Sequence, residues 1–188
     1  MLKKVALKSI LFLLLLACTG EDILPVGTEL LTNANLSYYP DSVIPWTSYQ
    51  SGNTEVGVSK EVFMTGNRSL FIENLDSLNS GSATWTQTYS GPMPAPGSSV
   101  ELTAFIKGVD VKNLTEGRVG VKFRVYPASD RNGSSAVILD LQGDFDWTLI
   151  RTTLDNFPAD ADFIIVDLSY PSLTYGRIYF DEISLKVK

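Results

Sequence analysis

Trp85, Gln87 and Tyr89 stand two residues apart in the segment SATWTQTY, so an extended chain puts all three on one face. That face would carry an aromatic plane beside amide donors and acceptors. A pyranose needs this pairing: the ring stacks on its C–H face, and the amide meets its hydroxyls. The same Trp85 also suits the inside of a protein, because an indole has roughly 150–250 Å² to bury. Arg124 and Tyr126 form a second pair of this kind, projecting with Lys122 opposite Val119, Val121, Phe123 and Val125 of GRVGVKFRVYP. A guanidinium donates in a planar fork to vicinal hydroxyls or to a uronic acid carboxylate. Its plain alternative is a solvated ion pair with Glu101, worth about 0–1 kcal/mol. Tyr170 and Tyr175 flank Pro171-Ser172-Leu173-Thr174, where two rings could grip one end of a glycan or simply sit on the surface.

The remaining chemistry is restricted. The chain has no histidine and one cysteine, which removes Ser-His-Asp and Cys-His catalysis and the common imidazole zinc sites. Catalysis would have to come from carboxylates, lysine or tyrosine. A glycosidase needs two acids about 5–9.5 Å apart, one with a raised pKa. Asp144 and Asp146 in QGDFDWT lie two apart but adjoin a glycine turn and read as solvated acids. No glutamate begins the Glu-x-Asp-x-x-Glu strand of jelly-roll endoglycanases.

The single thiol has a different use. Lys3, Lys4 and Lys8 precede an apolar run, Ile10 to Leu16, and Ala17 is the small residue before Cys18. This is a signal peptide, too short for a membrane span of about 20 residues. Leu15-Leu16-Ala17-Cys18 resembles the lipobox of bacterial lipoproteins, which implies cleavage before Cys18 and acylation of its sulfur. Thr19-Gly20-Glu21-Asp22 resembles the acidic signal that sends lipoproteins of Bacteroides-like bacteria to the outer face of the outer membrane, with the periplasmic face as the alternative. The expected organisation is therefore a signal peptide at 1–17, a lipidated cysteine and tether at 18–29, and one domain at 30–188. Removing residues 1–17, which hold three lysines and no acid, takes the formal charge from −6 to −9. Nucleic acid is then excluded as a partner, since phosphate binding needs a concentrated basic surface.

These side chains must be positioned by strands. SSVELTAFIKG alternates cleanly, with Val100, Leu102, Ala104 and Ile106 on one side and Glu101, Thr103, Phe105 and Lys107 on the other. Taken as a neighbour of the Arg124 strand, it would bring Phe105 and Lys107 beside Arg124 and Tyr126. TELLTNANL, EVGVSKEVF, RSLFIEN, SAVILDLQ, DWTLIRTTL, DFIIVDLSY and GRIYFDEISLKVK complete the set. Breaks at 90–99, 126–135 and 156–160 hold proline and glycine, which end ladders and permit tight turns. The predicted fold is all-β: an antiparallel two-sheet jelly roll of about ten strands.

The order of features resembles the carbohydrate-binding modules of the family 4/9 type, a branch of the galactose-binding-domain-like jelly rolls. Asn33 to Leu36 is followed by Trp46, then Gly66-Asn67-Arg68-Ser69-Leu70, Trp85-Thr86-Gln87, Leu102 to Gly108, Asp146-Trp147-Thr148 and Tyr179-Phe180-Asp181-Glu182-Ile183. The resemblance runs from about residue 30 to the C-terminus. It implies core positions for Trp46 and Trp147, and a structural calcium resting on Asp181 and backbone carbonyls, since Leu36-Ser37-Tyr38-Tyr39 offers no acid where the family often has one. Taken with the anchor and the strand spacing, it gives the expected function of a non-catalytic, membrane-anchored glycan binder working beside surface enzymes or importers, with Trp85, Gln87, Arg124 and Tyr126 on one sheet face. The alternatives are a protein-interaction subunit of a cell-surface assembly and a carboxylate glycoside hydrolase.

Overall fold

The computed structural model describes residues 23–76, 78, 80–113, 119–127 and 134–188; Cys18, the signal segment and the acidic Glu21-Asp22 lie outside them. The described residues form ten strands: β1 (Thr47–Gln50), β2 (Glu55–Ser59), β3 (Ser69–Asn74), β4 (Ala83–Tyr89), β5 (Val100–Asn113), β6 (Gly120–Tyr126), β7 (Ser134–Ile138), β8 (Gly143–Leu154), β9 (Phe163–Tyr170) and β10 (Thr174–Val187). They pair antiparallel in two five-stranded sheets, ordered β1-β4-β9-β6-β7 and β2-β3-β10-β5-β8. This is the predicted two-sheet sandwich.

Alternation decides what each sheet buries. Val121, Phe123 and Val125 of β6 and Ile164, Val166 and Leu168 of β9 turn inward from one sheet. Leu102, Ala104 and Ile106 of β5 and Ile178 and Phe180 of β10 do so from the other, and all join one apolar core. Each fully enclosed large side chain of this kind contributes roughly 1.5–3 kcal/mol. With no disulfide possible in a chain of one cysteine, that core must hold the sheets together.

Three expectations about elements change. TELLTNANL forms no strand; only Glu29 bridges Lys186. A strand missed by pattern, β1, is polar and exposed along its whole length, as an edge strand can be when it buries nothing. Most consequentially, β5 and β6 follow each other in sequence but lie in opposite sheets. Phe105 and Lys107 therefore cannot stand beside Arg124 and Tyr126.

The fold also reaches into the expected tether. The Gly27 and Leu30 amides donate to Val187 and Leu185 carbonyls, both at 2.8 Å. Glu29 receives the Leu185 amide at 2.9 Å. At the other end of β10, Gly176 sits at a register shift with φ +91°, and a Cβ there would fall 2.4 Å from the Asp110 carbonyl oxygen. Only glycine permits that approach.

Candidate functional site

The outward side of β1-β4-β9-β6-β7 is built around one carboxylate. Asp167 on β9 lies opposite Thr86 of β4 and Lys122 of β6. Thr86 Oγ1 donates to Asp167 Oδ1 at 2.9 Å, and Arg124 Nη2 donates to Oδ2 at 2.8 Å. Lys122 Nζ approaches the same Oδ2 at 3.8 Å. Asp167 is only 5% exposed because its own partners cover it. Two cations on one carboxylate leave this spot net positive in an otherwise acidic chain.

Beside this network, Tyr126 faces Phe163 across the β6–β9 ladder and stacks on it, centroids 4.8 Å apart and planes within 8°. The Arg124 guanidinium carbon lies 5.6 Å from the Tyr126 ring centroid. Arg124 spends one N–H on Asp167, while its Nε is enclosed with no hydrogen-bond partner among the described residues. At the far edge Tyr49 of β1 pairs with Thr84 of β4 in register and is 65% exposed. Thr84, Thr86 and Thr88 form the rest of the β4 outward face. The surface thus combines a ring pair, a partly free guanidinium and a row of hydroxyls.

Other predicted site residues lie elsewhere. Trp85, 6% exposed, points into the core, and its indole N–H crosses between the sheets to the Phe71 carbonyl at 3.1 Å. Gln87 points the same way: its Oε1 accepts the Thr32 amide at 2.8 Å, and its Nε2 donates to the Thr32 carbonyl at 3.0 Å. A side chain with both ends of its amide engaged this way has little left for a ligand. Tyr89 packs half-buried against the core, donates to the Pro92 carbonyl at 2.6 Å, and has its phenol pushed up by burial. Tyr170 is fully buried and donates to the Gly176 carbonyl at 2.8 Å; burial raises its phenol far above the ordinary range. Tyr175 is buried as well, so neither tyrosine offers a ring at the loop. Trp46 is core, as the resemblance implied, but Trp147 lies on the outward side of β8, half-buried near Tyr179.

Arg124 and Tyr126 do project outward, yet Arg124 pairs with Asp167 rather than Glu101, which Lys188 takes at 3.0 Å. Asp167, Thr86, Phe163 and Tyr49 were not singled out from sequence. The signal for Asp167 was an acid inside the otherwise apolar FIIVDLSY, which needs partners supplied by strands distant in the chain.

The calcium expectation fails on donor chemistry. Asp181 is fully buried, and its oxygens accept the Met64, Thr65 and Glu182 amides at 2.7, 3.2 and 2.7 Å. Burial raises its pKa, although these three N–H groups pull the other way. A hard cation needs such oxygens turned toward it with further oxygen ligands around. Here N–H donors occupy that place, and no group of three or more His, Cys, Asp or Glu side chains that could hold a metal ion occurs among the described residues. Asp146, in contrast, is fully exposed and held below its ordinary value by its bond to Lys107 at 2.7 Å and by the Trp147 amide.

No family model matches the chain, and no curated protein matches it. Solved structures do. The chain is similar to the carbohydrate-binding module TmCBM61, solved with β-1,4-galactotriose, at 15% identity and TM-score 0.56, over 86% of this chain and 99% of that one. It is similar to an apo cyclase from Fischerella sp. at 15% identity and TM-score 0.60, over 87% and 97%. It also matches the enzymatically active domain of tailspike protein 4 of bacteriophage CBA120 at 15% identity and TM-score 0.60, over 85% of this chain but only 21% of the tailspike. At such identities the shared property is the jelly-roll sandwich, which here carries binding and catalytic proteins alike.

Proposed function

We propose that this chain is a non-catalytic glycan-binding lipoprotein, related to modules of the family 4/9 type, that takes its ligand across the outward face of β1-β4-β9-β6-β7. The observation that carries the reading is the Tyr126–Phe163 stack beside the Arg124–Asp167–Thr86 network. The rings supply a stacking surface. Arg124, held by Asp167 and with its Nε enclosed, presents its remaining Nη hydrogens in a fixed orientation, which suits sugar hydroxyls. The net positive spot made by Lys122 and Arg124 around Asp167 further suits a glycan bearing uronic acid carboxylates. The glycan bound by TmCBM61 on the same kind of sandwich supports the class of ligand.

Catalysis finds no support in the buried acids of either sheet. Asp167 is neutralised by its cations, and Asp181, whose pKa is raised, is sealed from solvent. The anchor belongs to the same reading: acylated Cys18 would hold the sandwich on the outer membrane, facing the cell surface or the periplasm, where surface enzymes or importers receive the glycan. Binding would be shallow and modest in affinity.

The test is a panel of neutral and uronic acid polysaccharides run against the chain from residue 19 onward. Retention by at least one, lost in Arg124→Ala and in Tyr126→Ala with unchanged circular dichroism, is the expected result. Retention undiminished in both variants would remove the site. Incorporation of labelled fatty acid into the full chain, abolished in Cys18→Ala, tests the anchor separately.

A further inference from the structure

The opposite sheet, β2-β3-β10-β5-β8, carries its own outward row of rings. Phe71 on β3, Tyr179 on β10 and Trp147 on β8 follow one another with centroids 6.3 and 6.5 Å apart. They reach across three strand spacings of about 4.8 Å each, the span of a short oligosaccharide. Arg177 lies over this row, its guanidinium carbon 5.1 Å from the Phe71 centroid and 5.9 Å from that of Tyr179. Glu73 clamps Arg177 in an ion pair, and one Nη1 hydrogen goes to the Tyr179 hydroxyl at 3.2 Å. Burial pulls the Arg177 pKa down, but Tyr179 and Glu73 more than offset it, so the fork stays charged.

Next to these residues lies a hollow of about 360 Å³ lined by Val58, Ser59, Lys60, Glu61, Phe71, Arg177 and Tyr179. Its position depends on Gly57. A Cβ there would fall 2.5 Å from Cε1 and Cζ of Phe71, so the ring occupies the space a side chain at position 57 would fill. Phe71 is thereby laid down flat beside the β2 edge and kept at the wall of the hollow.

We infer that this hollow is a second saccharide site, specific for a neutral sugar. Phe71, half-buried, supplies the aromatic wall that a pyranose C–H face requires, while Tyr179, 5% exposed, lies beneath Arg177 and supports it from below. Around the hollow, Arg177 and Lys60 donate and Glu61 accepts. Lys60 and Glu61 are exposed and make no ion pair among the described residues. With Glu73 behind Arg177, the four charges cancel. A charged ligand gains nothing from such a rim, whereas a hydroxyl, donor and acceptor at once, matches both signs. The opposite face, built around Lys122, Arg124 and Asp167, is net positive by comparison. The module would then hold two glycan segments on two sides, one neutral and one tolerant of acid groups.

The experiment is an amide and indole NMR titration of the chain from residue 19 onward with β-1,4-galactotriose, xylotriose and cellotriose. Saturable shifts of the Lys60, Phe71 and Arg177 amides and of the Trp147 indole by at least one sugar are expected. Gly57→Ala, which displaces the ring without deleting it, should weaken that binding roughly tenfold, as should Phe71→Ala. Lys60→Ala provides a variant with no folding burden. Tyr126→Ala should leave these shifts unchanged, which separates this site from the one on the other sheet even if that one binds nothing. Silence of all four signals with every sugar, or shifts indifferent to Gly57→Ala, Phe71→Ala and Lys60→Ala alike, would overturn the inference.

Discussion

Trp85→Ala should unfold this protein more readily without touching the Arg124 face. Its indole is buried between the sheets, and its N–H donates to the Phe71 carbonyl in the facing sheet. Replacing a buried Trp by Ala costs about 3–5 kcal/mol through lost burial and the cavity left behind. The unmade hydrogen bond leaves a carbonyl short of a partner, and Trp85→Phe isolates that loss at about 1 kcal/mol plus a smaller volume change. In a domain of this size about 1 kcal/mol shifts Tm by roughly 2–4 °C, so the alanine variant should melt about 6–20 °C lower and the phenylalanine variant a few degrees lower. Urea denaturation followed by far-ultraviolet circular dichroism gives the free energies directly. A Trp85→Ala chain of wild-type stability that nevertheless lost its glycan at the Arg124 face would refute the reasoning, because only an exposed ring behaves that way.

Further expectations follow from individual bonds. Gln87→Leu strands the Thr32 amide and carbonyl that the side chain now satisfies; an equilibrium denaturation should find about 1–3 kcal/mol lost. Asp181→Asn offers one oxygen where three amides need two, so a comparable or larger loss is expected at neutral pH. Because the folded-state pKa of Asp181 is raised, its stabilising contribution is complete below the unfolded value of 3.8 and falls as pH rises through the raised one; Asp181→Asn should remove that slope from a pH series of urea midpoints. Asp146 has the opposite sign: its pKa is lowered, so its contribution is present above 3.8 and lost as pH falls through the depressed value. Lys107→Ala should bring the Asp146 carboxyl back up in an NMR titration. Raised salt should weaken retention of an acidic polysaccharide through Lys122 and Arg124 while sparing a neutral one.

The sandwich was legible because alternation is a local signal. Val121, Phe123 and Val125 read as inward from six consecutive residues, and they are. What alternation cannot say is which strands become neighbours. β5 and β6 show the same pattern side by side in sequence, yet the chain crosses between the sheets after β5, and Phe105 and Lys107 go with it. It also leaves the direction of a face open when both faces are plausible. In ATWTQTY, one side holds Ala83, Trp85, Gln87 and Tyr89 and the other three threonines. The threonine side is the one that can stay wet at no cost, and the alanine at the head of the ring side marks a close-packed environment.

The same logic explains why Arg124 and Tyr126 were legible in the sequence while their partners Asp167, Thr86 and Phe163 were not. A binding surface assembled on a sheet face draws one or two residues from each strand, so its unit is the cross-strand pair rather than the sequence neighbour. Thr86, Lys122, Tyr126, Phe163 and Asp167 come from β4, β6 and β9, which are scattered over the chain but adjacent in the sheet. Arg177, Glu73, Phe71 and Tyr179 on β3 and β10 obey the same rule on the other side. In both clusters an arginine is fixed by a carboxylate on the adjoining strand and lies against an aromatic ring. A guanidinium held in this way has already lost its rotamer freedom, and the hydrogen bonds it still has to give cost a ligand less ordering entropy. That makes the carboxylates, which need never touch a sugar, as important to each face as the rings, and it predicts that Asp167→Asn will weaken binding at its face with Tyr126 and Phe163 still in place.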